Sequence, residues 1–498
     1  MSGKNQQLYD GVTDWKSIYY VAFFSWIDAF QFSFFVWSFW PFVQTLDSTI
    51  SPTFVGIIMA LSGLGEAIGA PLFGYWLNQS GRLKFPVITS FCISMVANLS
   101  YASLNAVPLE FMSFAILISR FLAGAGSGNR ACFLAYTASA STKSDRTKSM
   151  ALTGGGALIG LTAGPAVQGI FTWLKEGISV GPFRLSMYSA PAILAFFINV
   201  LCAILLPIVL DDRLDNRGKE EDTISKLDVT VETDHESLED CECQNPLLTV
   251  RPDVLAILIC MLTRAARMLV TANVESIGSP YSQIMFGFDD AEVLNYNSAS
   301  QAAIGALTTL MLVIYAFTHY SNWISERLNC IIAMIALLGF HLLTFSYPFL
   351  PNGSVNCPLN SNNETVYSWC DDLRPTNVYV YYISYILVFG LALPCLNNSL
   401  QSLYSLVLGN SRQGLMQGLN QAVGSLSRIF GPILISSTFT SFGPLATWTV
   451  EIVTLTLFLC IWLIAYRRLV PANENPKNKI VPVDCSLDIS SKSSSVSL

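Results

Sequence analysis

Charge is what this sequence lacks. Only 12% of its 498 residues are Asp, Glu, Lys or Arg, against about 25% in soluble globular chains. That deficit over so long a chain excludes an ordinary cytosolic enzyme, a disordered scaffold and a coiled coil. Histidine is nearly absent, at 3 residues, and no cysteine pair has zinc spacing. No Gly-rich phosphate loop follows a strand, and no nucleophile elbow surrounds a serine. Neither an enzymatic activity nor a cofactor nor a bound metal is expected. There is no basic stripe, which excludes nucleic acid as a partner.

Apolar residues are abundant instead. They make up 52% of the chain, with 31 Phe, 19 Tyr and 10 Trp. The reading is a membrane protein with many spans, and lipid is its first partner. Twelve stretches approach the ~20 mostly apolar residues that a span needs. They run near 17–41, 53–77, 86–106, 110–138, 149–172, 188–210, 252–277, 297–319, 328–350, 377–409, 414–441 and 445–467. The first is long and aromatic, follows a polar leader, and lacks the small-residue cleavage site of a signal peptide.

The net charge of −7 belongs to one segment. Between Asp211 and Val250 stand 13 Asp+Glu against 4 Lys+Arg, a local −9, which leaves +2 for the rest. Residues 211–251 thus read as a flexible acidic linker. It separates six spans (17–210) from six spans (252–467), after a leader of 1–16 and before a Ser-rich tail, 468–498. With both termini cytosolic, the cytosolic segments hold 19 Lys+Arg. The opposite face then holds only Lys175, Arg184 and Arg374. That asymmetry orients the chain.

The 351–376 loop falls on the far side in this topology. It carries glycosylation sequons at Asn352 and Asn363, and both are expected to be modified. Cys357 and Cys370 are the natural disulfide pair of an oxidising lumen, with two free thiols as the alternative. The other cysteines within apolar runs read as small buried hydrophobes.

The halves share marks. Gly160 to Gly164-Pro165 in span five and Gly431-Pro432 in span eleven put a Gly-Pro pair at the same place in each half. Paired helix bends suit two bundles that rock against each other, and close packing is the plainer reading. Between spans two and three stands Gly74-Tyr75-Trp76-Leu77-Asn78-Gln79-Ser80-Gly81-Arg82-Leu83-Lys84. This resembles the signature loop of the major facilitator superfamily, Gly-x-x-x-Asp-Arg/Lys-x-Gly-Arg/Lys-x-Arg/Lys. Arg120 to Gly128 resembles that superfamily's fourth-span Arg-x-x-x-Gly-x-Gly motif.

The resemblance implies an all-α membrane protein, twelve transmembrane helices in two pseudo-symmetric six-helix bundles. It implies a cytosolic gate at Gly74, Asn78, Gly81, Arg82 and Lys84. Asn78 and Gln79 replace two charges of that loop, so this gate should be weaker or built otherwise.

Further segments resemble one subfamily, the lysosomal member altered in a late-infantile neuronal ceroid lipofuscinosis. They are Trp40-Pro41-Phe42 with Asp47, the run from Arg120 to Tyr136, the Arg146–Ala151 loop and the run from Gln413 to Pro432. The resemblance implies a lysosomal or late endosomal location and an anion (chloride) conductance. Tyr9-Asp10-Gly11-Val12 and Leu247-Leu248 have the forms of signals read by sorting adaptors.

Ionisable groups inside spans are functional candidates, since each central Arg costs about 2.5–3.5 kcal/mol on insertion scales. At ~1.5 Å of rise per residue, Asp28 lies roughly 16 Å and Glu66 roughly 20 Å deep. Arg120, Arg264, Arg267 and Arg428 lie at similar depth. Arg264 and Arg267 are three apart and share a helix face. Together these groups make a site for a small anionic solute or chloride. Asp28 and Glu66 are the candidates to carry protons.

Arg130 is expected to snorkel to lipid phosphates. Glu275 and Glu451 are expected to be solvated, and His341 reads as a core histidine. An anion channel is the alternative to a carrier, and a non-transporting scaffold or receptor is the second. Six midplane charges weigh against the scaffold.

Overall fold

The computed structural model describes residues 13–34, 42, 52–142, 144–174, 177–180, 183–210, 253–318, 320–350, 355–357, 367, 369–370, 373–409 and 413–472. Tyr9, Val12, Leu247, Leu248, Asn352 and Asn363 lie outside them, as do residues 211–251.

Helix lies over each of the twelve apolar stretches. In chain order the helices are α1 (Trp15–Ser33), α2 (Pro52–Ser80), α3 (Lys84–Ala102), α4 (Leu109–Gly126), α5 (Arg130–Ala140), α6 (Arg146–Ile170) and α7 (Ala190–Val209). After the linker come α8 (Val254–Phe286), α9 (Asp290–Phe317), the short α10 (Tyr320–Trp323), α11 (Glu326–Leu343), α12 (Val378–Leu387), α13 (Leu393–Leu408) and α14 (Gln413–Ala465). A 3-10 turn, Ser127–Asn129, joins α4 to α5, and a π-helical turn, Val388–Ala392, joins α12 to α13. Two short strands, β1 (Ile178–Val180) and β2 (Phe183–Leu185), pair antiparallel. Among the described residues, nine helical segments are long and apolar enough to cross a membrane.

Polar residues set the helix ends. The Asp14 carboxylate accepts from the Ser17 backbone N–H at 3.2 Å, and Asp253 accepts from Leu255 N–H at 3.0 Å. Asp289 and Glu292 form a reciprocal capping box at the start of α9. Each cap satisfies donors that the first helical turn leaves open. Gly81 (φ 62°) and Gly287 (φ 68°) stop α2 and α8 in the left-handed region. Within α14 the helix breaks only at Gly443 (φ 79°, ψ −178°). Trp369 packs there, where a Cβ would come within 2.6 Å of its ring, and its indole N–H donates to the Thr440 carbonyl at 3.2 Å.

Helices before residue 211 pack mainly on one another: α1 on α6, α2 on α4, and α3 on both α4 and α7. Those after residue 252 do likewise, with α8 on α14 and α11 on α13. The two sets meet where α2 and α5 lie along α14, and where α6 lies along α9 and α13. Large apolar side chains point outward, among them Phe197, Ile208, Leu258 and Leu262, while Asp28, Glu66, Arg120 and Arg264 are buried. This inversion of the soluble pattern suits a lipid surround.

The sulfurs of Cys357 and Cys370 meet, with their Cα atoms 6.3 Å apart. Helix runs without a break through Gly160, Gly164 and Pro165, and through Gly431 and Pro432. Gly160 receives the α1 backbone, where a Cβ would come within 2.5 Å of the Trp26 carbonyl oxygen. A Cβ on Gly431 would meet that of Ala272 at 3.0 Å. Both glycines therefore sit at close helix contacts.

Candidate functional site

A chain of polar groups, most of them buried, crosses from one half to the other. It begins at Asp28 on α1, whose carboxylate accepts from Asn129 Nδ2 at 3.3 Å and from Arg130 Nε at 3.2 Å. The same guanidinium reaches the Glu66 carboxylate on α2, with Nη1 at 3.7 Å from Oε1. Glu66 then faces α14. Its Oε1 accepts from Gln421 Nε2 at 2.7 Å, and its Oε2 faces Arg428 Nη1 at 3.4 Å. The Gln421 carbonyl oxygen accepts from Arg264 Nη2 on α8. One carboxylate is thus held by two guanidiniums and an amide, drawn from both halves.

Local sequence explains the positions. The 3-10 turn at 127–129 resets the register between α4 and α5 and turns both Asn129 and Arg130 onto Asp28. Gly424 makes room for Arg264, since a Cβ there would come within 2.7 Å of Arg264 Nε. Gln421 and Gly424 are three apart and share a face of α14.

Arg130 is a correction to the sequence reading. It does not snorkel to lipid: its side chain is 10% exposed and bridges two carboxylates. Apposed carboxylates at such depth require a shared cation, and only the fold reveals that they are apposed. Glu451 is a second correction. It is fully buried beside Asn273 rather than solvated. His341 is also fully buried, its ring edge-on to Trp448 at 6.2 Å. Gln421 gives no signal in the sequence, being one uncharged residue in a polar-dotted span.

Of the six predicted midplane charges, Asp28, Glu66, Arg264 and Arg428 join this chain. Arg120 stands apart, its guanidinium 4.3 Å from the Tyr101 ring centroid. It lines a small cleft, about 30 Å³, with Asp28, Gln31, Ser94, Asn98 and Ser127, inside the first half. Arg267 is buried next to Met268, with Nη2 at 3.6 Å from its sulfur. Arg428 is the most open of the set, at 39% side-chain exposure.

The halves also close on each other at the end that carries the basic loops. Asn78 Oδ1 accepts from the Gly414 backbone N–H at 2.9 Å. Gly74 and Gly414 lie backbone to backbone, and a Cβ on Gly74 would run into the Gly414 carbonyl oxygen. On the other seam Thr147 donates to Glu326 at 2.5 Å and meets Ser402 at 2.8 Å, while Arg146 donates to Ser405 at 2.8 Å. Arg82 is exposed, and Lys84 reaches the Pro207 carbonyl at 3.2 Å within the first half. On the α2–α14 seam, Gly74 and the neutral Asn78–Gly414 hydrogen bond stand where the signature loop's missing charges would be; the other seam uses Arg146 and Glu326.

Comparison with known proteins agrees with this architecture. The family model described as Major Facilitator Superfamily matches residues 23–361. "Major facilitator superfamily domain-containing protein 8" of Xenopus laevis is 26% identical over 491 residues, covering 92% of each chain. Among solved structures, the human organic anion transporter MFSD10 (TETRAN) superposes with a TM-score of 0.59 at 14% identity, over 90% of this chain and 99% of that one. The proton:xylose symporter XylE gives a TM-score of 0.60 at 14% identity, over 91% and 96%. A bacterial homologue of the iron transporter ferroportin, in its outward-facing state, gives 0.60 at 12% identity, over 91% and 99%. This chain, a multi-pass membrane protein, belongs to the Major Facilitator Superfamily.

Proposed function

We propose that the protein is a carrier that moves a small anionic solute, or chloride, between its two halves, with protons taken up at Asp28 and Glu66. In this reading twelve helices cross the membrane as two pseudo-symmetric six-helix bundles, 17–210 and 252–467, joined by the acidic linker. The basic end and both termini are cytosolic. The 351–376 loop, with glycans on Asn352 and Asn363 and the Cys357–Cys370 disulfide, lies in the lumen of a lysosome or late endosome. The subfamily resemblance carried by Arg120–Tyr136, Arg146–Ala151 and Gln413–Pro432 supports the lysosomal location.

One observation carries the proposal: Glu66 is held at once by Arg130 of its own half and by Gln421 and Arg428 of the other. An anion entering beside Arg428 and Arg264 competes with Glu66 for Arg428 and with Gln421 for Arg264. A proton on Glu66 removes its charge and weakens its hold on Arg428, which frees that guanidinium for the solute. Proton uptake and anion binding thereby favour each other. The same step loosens the bond between the halves that must break for them to rock.

The test is anion flux in vesicles reconstituted with wild-type protein and with the Arg264→Ala/Arg267→Ala double variant, at luminal pH 5 and 7. Wild-type flux that saturates, rises in acid and falls sharply in the variant is the expected result. Equal flux from both proteins would remove the arginines from the pathway. Single-channel steps in place of saturable, exchange-stimulated flux would favour a channel.

A further inference from the structure

The cleft beside Arg120 reaches Asp28 without touching the second half. Its walls include Asp28 and Gln31 on α1, Ser94 and Asn98 on α3, and Arg120 and Ala123 on α4, and α8 and α14 contribute none. Gln31 is satisfied elsewhere, since it exchanges hydrogen bonds of 3.0 and 2.7 Å with Asn199. Ser94 and Asn98 are not. They are 7% and 8% exposed, and neither side chain makes a hydrogen bond among the described residues. Asn98 lies one turn beyond Ser94 on α3, about 6 Å further from the basic end. Tyr101 follows one turn later, with the Arg120 guanidinium over its ring.

Two buried polar side chains that have left water for no protein partner call for one in the cleft. Size and charge decide what it is. The volume of about 30 Å³ suits about two waters, at roughly 10–15 Å³ for each. It is too small for an organic solute. The wall carries both the Asp28 carboxylate and the Arg120 guanidinium, so a metal cation would face Arg120 and a halide would face Asp28. Water donates to the carboxylate, accepts from the guanidinium, and does both with the Asn98 amide and the Ser94 hydroxyl.

We propose that this cleft holds a pair of waters that relay protons to Asp28, so that the proton travels inside the first half while the solute moves between the halves. The inference rests on the reading above that Asp28 takes up protons, and it adds the route. The charged and titratable groups around Asp28 are Arg130 on α5, Glu66 on α2, Arg120 on α4, Tyr101 on α3 and Cys202 on α7. Packed on α1 as well, α6 has no ionisable residue from Ser149 to Ile170. Of these groups only Arg120 shares the cleft with Asp28, and it holds its proton throughout. Ser94 and Asn98 are positioning residues: they hold the waters and carry no proton themselves.

The test is hydrogen–deuterium exchange at the protonated Asp28 carboxyl, followed by infrared difference spectroscopy. Purified full-length protein in lipid is pulsed with heavy water at acid pH, and Asp28→Asn identifies the carboxyl band. Asn98→Leu keeps the size of the side chain and removes its polarity. Ala123→Leu keeps Ser94 and Asn98 and fills the space. Each should slow exchange at Asp28 about tenfold, because every event then needs a wider local opening. Exchange of the backbone amides, read in the same spectra, should stay at the wild-type rate, which separates a blocked route from an altered fold.

Exchange at Asp28 at the wild-type rate in both variants would overturn the cleft as the route and leave the proton reading intact. Backbone exchange that changes in step with Asp28 would overturn it too, as a general change of the fold. If Asp28→Asn removes no carboxyl band between pH 4 and 7, the proton reading at Asp28 fails, and this inference fails with it.

Discussion

Gln421 donates its side-chain amide to the Glu66 carboxylate across 2.7 Å, from α14 to α2. Its carbonyl accepts from Arg264 at the same time. One neutral side chain therefore connects an acidic group of one half to a basic group of the other. Gln421→Leu should break both links with little change in volume. Loss of a buried bond of this kind costs about 1–3 kcal/mol, read as a lower denaturation midpoint of the purified protein. An unaltered midpoint would mean that Glu66 and Arg264 find other partners.

Arg130 should be the least replaceable of the basic residues. Its removal leaves Asp28 and Glu66 both buried with the shared cation gone, at a cost of about 3–5 kcal/mol. Arg130→Ala is therefore expected to be poorly folded, and Arg130→Ala/Asp28→Asn to recover part of the loss. A double-mutant cycle measures the coupling, and strictly additive effects would contradict the bridging role.

Glu66→Gln imitates the protonated state. It should raise anion affinity and flatten the dependence of binding on pH, because Arg428 is released at all pH values. Titrations at pH 5 and 7 check this. A variant that binds more weakly than wild type would reverse the proposed order of proton and anion.

Gly74→Ala should hinder closure of the basic end. The added Cβ would run into the Gly414 carbonyl oxygen, and backbone there cannot swing aside. Ser402→Cys reports the outcome, since Ser402 is fully buried in the closed interface. A membrane-impermeant maleimide applied from the basic side should label Cys at that position several-fold faster when Gly74→Ala is also present. Equal labelling would place the closure elsewhere.

The proposed topology has its own check. Asn352→Gln and Asn363→Gln should each remove one step of electrophoretic mobility shift, and the double variant should run like enzymatically deglycosylated protein. A wild-type band insensitive to deglycosylation would return the 351–376 loop to the other side or leave both sites unused.

The helices were legible because apolar runs of bilayer length seldom arise in any other way. Helix lies over every stretch read as a span, including α1 and α6, whose polar residues dilute the signal. The carboxylates Asp28 and Glu66 were legible too, since buried charge stands out against so apolar a background. Their partners were not. Arg130 sits near the end of an apolar run, where sequence suggests lipid contact, and only the helix crossing brings it to both acids. Gln421 carries no charge, so its significance depends wholly on what lies opposite. The replacement of the signature-loop charges by Asn78 and Gln79 could be anticipated as a loss, but not the neutral contacts that Gly74 and Asn78 make in their place.

The corner at Gly443 has a consequence for how the second half can move. A positive φ of 79° confines this position to glycine, and the Trp369 ring occupies the side from which a substituent would emerge. The two arms of α14 are consequently joined by a single clamped residue rather than by a loop. One arm carries Gln421 and Arg428; the other carries Trp448 and Glu451, which lie against α8 through the Tyr281 stack at 4.5 Å and Asn273. A tilt begun at the first arm is handed to the second with almost no slack. Trp369 packs on that joint, so a change in its fluorescence would register movement between the two arms.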